Sequence, residues 1–114
     1  MSMQKKPLLT LHVTPAAPVA AGLVVTQAGA LPAAGGRVRG CLAQACTVAG
    51  TPTPIDVLGT SIGTAGAAFN PGDPLMATAA GKLVLWTSPN IQVGSALEAA
   101  AADGDRVEYL LIVN

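Results

Sequence analysis

Near the start of the chain, apolar and polar residues alternate: Leu9, Leu11 and Val13 interleave with Thr10, His12 and Thr14. A period of two places successive side chains on opposite faces of a strand, so a short strand is predicted here. Pro15-Ala16-Ala17-Pro18 then imposes an extended connection. Residues 1–20 therefore read as an extended N-terminal arm and residues 21–114 as a β-rich body. Such an arm is suited to adding a strand to another chain's sheet, a frayed terminus being the default alternative.

From Ala21 onward short apolar runs alternate with turn residues. "LVVTQAG" predicts a strand, "ALPAAGG" a turn, and "RVRGCLAQACTVAG" a long strand carrying Gly40. "TPTPIDVLGTS" predicts a short strand between proline and glycine stops, and "SIGTAGAAFNPGD" a flexible loop ending in the turn Asn70-Pro71-Gly72-Asp73. "PLMATAAGKLVLW" predicts a hairpin with Ala80-Gly81-Lys82 at its tip. Strands at this spacing predict an all-β fold, a small barrel or sandwich, or a β-rich fold with a single short helix.

That helix would lie in "VGSALEAAAADGDRVEYLLI", Val93 to Ile112. Ser95 and Glu98 have the spacing of a capping box, and Gly104 would be a stop. Against it, the helix would have barely two turns and alanine on nearly every face. A weak internal echo favours strand: "GCLAQA" (Gly40–Ala45) resembles "GSALEA" (Gly94–Ala99), and each precedes a second strand, "PIDVL" or "RVEYLLI". The reading adopted is strand or loop from Val93 to about Ala100, a turn at Asp103-Gly104-Asp105, and a closing strand to Val113, with a short helical turn in Ser95–Ala102 left open.

Composition adds a tendency to assemble. At 114 residues the chain is one domain, yet its apolar fraction of 51% is rich in Ala and includes only Phe69, Trp86 and Tyr109 as aromatics. Six basic residues balance six acidic ones, and near-zero net charge favours association. No basic stripe interleaved with aromatics is present, which argues against a nucleic-acid groove. "QKKPLLTLHVTPAAPVAAG" resembles a secretory leader only superficially, because Thr10 and His12 interrupt its apolar patch. The uncharged stretch Val13–Gly36 is broken too often by Pro and Gly for a membrane-spanning helix. Cys41 and Cys46 read as buried free thiols and leave the redox compartment open.

Candidate chemistry is sparse. His12, the lone histidine, lies in the arm, and no Gly-x-Ser-x-Gly elbow exists. Cys41, Cys46 and His12 lack the paired spacing of structural zinc. Asp103, Asp105 and Glu108 lack the calcium-loop order and read as a solvated turn and strand edge. "GTSIGTAG" (Gly59–Gly66) is glycine-rich without the Lys-Ser/Thr that contacts phosphates. Lys82 at a hairpin tip has no Met-Lys doublet of a cofactor carrier. The expectation is a protein that is no enzyme, with no catalytic, metal or cofactor site.

Gly72 to Ile112 resembles the phage head decoration, or capsid cement, proteins. Pro74, Leu75 and Met76, then Lys82, Leu83, Val84 and Trp86, then Val93 and Gly94 follow the series of the lambda-type head decoration protein. Gly72, Asp73, Val93, Gly94, Ala96, Leu97, Glu98 and Ala99 fit the broader cement pattern, whereas "RVRGCLAQACTVAG" has no lambda-type counterpart. The resemblance implies a non-enzymatic virion protein on the outer surface of an expanded head, commonly a homotrimer, clamping neighbouring major capsid subunits. It implies neither nucleic acid nor membrane as partner. On that basis the arm is expected to pair with a capsid sheet edge, with Leu9, Leu11 and Val13 filling pockets and Lys5 or Lys6 meeting acidic groups. Trp86, Val93, Leu97, Tyr109 and Leu111 are the expected core or subunit-packing residues. A trimeric β-rich receptor-binding or fibre module is the alternative, weakened by the few aromatics.

Overall fold

The period-two segments form strands, and the computed structural model, which describes residues 7–112, contains no helix among them. The eight strands are β1 (Pro7–Val13), β2 (Val24–Val25), β3 (Gly40–Leu42), β4 (Thr53–Thr64), β5 (Pro74–Ala77), β6 (Leu83–Leu85), β7 (Gly94–Ala96) and β8 (Arg106–Leu111). They form one curled antiparallel sheet in the order β2-β3-β4-β8-β7-β5-β6, with β1 paired to the edge of β4 opposite β3. The curl brings β6 back beside the end of β4, where Ala65 and Leu83 form a parallel bridge. The expected hairpin is β5–β6, its turn closed by Thr78 donating to the Lys82 carbonyl.

Two expectations change. The long strand expected over "RVRGCLAQACTVAG" is three residues, after which the chain bends and Cys46 bridges Val19. The loop expected over "SIGTAG" is instead strand as far as Thr64, the second half of the 12-residue β4. The chain passes Gly59 at φ 93, a left-handed conformation that suits glycine, and the register with β1 shifts nearby. Beyond it, Thr60, Ile62 and Thr64 alternate with buried Ser61 and Gly63. Small inward residues hid this strand's period, because pattern reading looks for large ones.

The echo of "GCLAQA" and "GSALEA" extends to the whole fold. A first unit of β1, β2, β3 and the first half of β4 matches a second unit of the other half of β4, β5, β7 and β8. Val13 pairs with Thr53 as Gly63 pairs with Val107, and Leu11 with Ile55 as Ser61 with Tyr109. Val24 pairs with Cys41 as Pro74 with Ser95. Loop hydrogen bonds follow: Gly22 donates to Leu42 as Gly72 to Ala96, Gly50 to Pro15 as Gly104 to Ala65, and Ala43 to Pro54 as Leu97 to Glu108. The second unit differs by the longer segment that carries β6.

Each unit has its own core, filled differently. Val13, Val25, Leu42, Cys46, Ile55 and Val57 form the first. The matching positions of the second, in a larger cluster, are Gly63, Leu75, Ala96, Ala100, Tyr109 and Leu111. One tyrosine in place of isoleucine is accommodated by smaller partners in place of Val13, Leu42 and Cys46. A methyl added at Gly63 would lie 2.8 Å from Tyr109 Cε1, and one at Gly94 2.6 Å from Tyr109 Cδ2. Gly94 and the buried Ala96 and Ala100 thus make room for the Tyr109 ring, while Ala99, Ala101 and Ala102 are exposed, and no helix forms there.

Candidate interaction surface

The two units meet across a row of side chains. Val24, Cys41 and Asp56 lie side by side on one face of β2, β3 and β4, each at most 1% exposed. Gly59 turns the strand so that Ser61, on the second unit's inward face, donates from Oγ to Asp56 Oδ2 at 2.6 Å. The Cys41 thiol points to the Ile62 carbonyl at 3.5 Å and faces Ser61 and Tyr109. Burial pushes the Cys41 thiol up, and burial raises the Tyr109 phenol well above its ordinary value. The Tyr109 hydroxyl is buried without a well-formed hydrogen bond, with the Cys41 sulfur as polar neighbour. Cys41 and Cys46 are free and belong to different cores.

Glu98 marks a difference between the units. Its Oε1 accepts the Glu108 N–H at 3.0 Å, while Oε2 is buried without a partner. The residue matching Glu108 in the first unit is Pro54, which has no N–H to satisfy, and Gln44, matching Glu98, is exposed. Lys82 Nζ contacts Asp103 Oδ1 at 2.8 Å on the surface, an exposed pair contributing little to stability. Asp105 accepts the Ala101 and Ala102 N–H groups, a turn role. Among the described residues no three His, Cys, Asp or Glu side chains gather to hold a metal, and no helix is long and apolar enough to cross a membrane.

The expected site residues separate. Val13 is buried and fixes the end of β1 in the first core, while Leu9 and Leu11 are each 41% exposed. The expected arm strand exists, but it pairs with β4 of its own chain along one edge. Among the described residues no strand occupies its other edge. Lys5 and Lys6 lie outside the described residues. Val93, Tyr109 and Leu111 are core. Trp86 is half-buried, its Nε1–H bonded to the Asn90 carbonyl at 2.6 Å, and Leu97 lies 46% exposed. Sequence reasoning missed Leu8, 82% exposed, and Leu110, 43% exposed. Leu110 neighbours buried Leu111 on β8, where one of two successive residues must face out, whereas Leu8 and Leu9 are both exposed at the register shift of β1.

The model of a family described as phage cement protein matches residues 3–111. The chain belongs to the phage cement protein family. It is a capsid-decorating component of a phage virion, and its binding partner is the phage capsid. No curated protein matches it by sequence. Its fold is similar to that of the N base of the head fiber gp8.5 in bacteriophage phi29, with a TM-score of 0.74 at 19% identity over 91% of this chain and 93% of that one.

Proposed function

We propose that the chain is a non-enzymatic cement protein that binds the outer surface of an expanded phage head as a homotrimer and clamps neighbouring major capsid subunits. The observation carrying this reading is the open outer edge of β1, flanked by exposed Leu8 and Leu9. A strand edge supplies main-chain donors and acceptors to a partner's sheet, and alternate side chains supply the fit. Val13 anchors the strand to the body, so the outer end of β1, with Lys5 and Lys6 ahead of it, is the part that reaches the capsid subunit. Leu11 lies between these two roles. Several weak contacts per trimer add on one particle by multivalency.

The fibre reading draws on the likeness to a head fiber base, but Phe69 and Tyr109 are buried and Trp86 half-buried, leaving little aromatic surface for a receptor. The test is decoration of expanded, undecorated heads by a Leu8→Glu/Leu9→Glu variant. The variant is expected to keep the wild-type melting curve and lose surface density. Undiminished decoration would sink the role of β1.

A further inference from the structure

We infer that copies of this chain associate head to tail, repeating between molecules the contact that its two units make within one. The inference rests on the reading of the chain as self-associating and names the faces that meet. Inside the chain, the row Val24–Cys41–Asp56 of the first unit is covered by the second, where Ser61 and Tyr109 receive it. The matching row of the second unit is Pro74–Ser95–Leu110, aligned across β5, β7 and β8. Pro74 and Ser95 are half-buried and Leu110 is 43% exposed, so this row is uncovered among the described residues.

The receiving side recurs as well. Ser61 and Tyr109 correspond to Leu11 and Ile55 in the first unit. Leu11 is 41% exposed and, with Val13, Ile55, Gln27 and Arg39, lines a groove of about 420 Å³. One molecule therefore carries an open copy of each side of a contact it already makes internally, and a second copy of the chain fits both. The chemistry changes in a way that suits association. The buried Asp56–Ser61 pair, which needs fixed hydrogen-bond geometry, is replaced by Leu110 facing Leu11, which tolerates small displacements. In this arrangement the neighbour's β1 follows the end of β8, as the two halves of β4 follow one another through Gly59. Such a contact is heterologous, so its rotation decides between a closed ring and a filament. Closure at three copies is what the trimer reading requires.

The test is a full-length chain carrying Leu11→Cys and Leu110→Cys, mildly oxidised both in free solution and on decorated heads. A ladder of disulfide-linked oligomers is expected from the double variant and none from either single variant. In parallel, L11E or L110R alone should lower the solution mass, and L11E combined with L110R should restore it. Dimers from L110C alone would indicate a symmetric contact and overturn the proposal. So would a double variant that decorates heads yet forms no cross-link in either setting, an outcome that leaves the capsid-binding role of Leu8 and Leu9 intact.

Discussion

Tyr109 sets the composition of its surroundings. Its ring lies against Gly63 on β4 and Gly94 on β7, whereas Ile55 in the first unit shares its core with Val13. Gly63→Val is expected to destabilise by about 1–3 kcal/mol through overpacking. Adding Tyr109→Ile should recover about 1 kcal/mol beyond additivity in a urea-denaturation cycle, the rest of the loss remaining with Leu83 Cδ1, which lies 2.7 Å from the added methyl. Tyr109→Phe removes a buried hydroxyl with no well-formed hydrogen bond, so it should preserve stability or raise it by about 1 kcal/mol in thermal unfolding. Nothing in the sequence around Gly63 points to this ring, because their neighbourhood is made by strand pairing.

At the scale of the element, the second unit's closing turn depends on Glu98. Glu98→Ala should cost about 1–3 kcal/mol, because it strands the Glu108 N–H, whereas Gln44→Ala should stay within about 0.5 kcal/mol. Denaturant midpoints of the two variants separate these outcomes. The capping-box spacing of Ser95 and Glu98 was legible in the sequence, but its use was not. The side chain of Glu98 holds an amide ten residues on in β8 instead of the start of a helix. The β5–β6 hairpin was legible because its turn chemistry is local. The second half of β4 was not, because its inward Ser61 and Gly63 are small to suit Asp56, Leu83 and Tyr109, which lie outside that half of the strand.

For the whole molecule, the interface between the units contains two groups that burial holds neutral, Cys41 and Tyr109. Both folded values lie above the unfolded ones, near 9.0 for the thiol and 10.0 for the phenol. Their contribution is therefore fully present below the unfolded values and is lost as pH rises through the folded ones. Stability is expected to be level through neutral pH and to fall above pH 9.0, with Tyr109→Phe losing less above pH 10.0; denaturation at stepped alkaline pH measures this. In the native protein the Cys41 thiol should react with a thiol reagent only as fast as the chain opens.

By itself the sequence determined the fold class, the hairpin, the closing turn at Gly104 and, through short motifs in the second half, the cement resemblance that the family match shows. These are local properties: turn residues, β-branched runs and spacing act over a few positions. Only the tertiary structure decided that the echo is a repeat of the whole unit, that β1 pairs within its own chain, and which of two neighbouring leucines faces out. Those features depend on strand register, and register is fixed by partners distant in sequence. The open edge of β1 among the described residues and the exposure of Leu11 and Leu110 follow from that pairing.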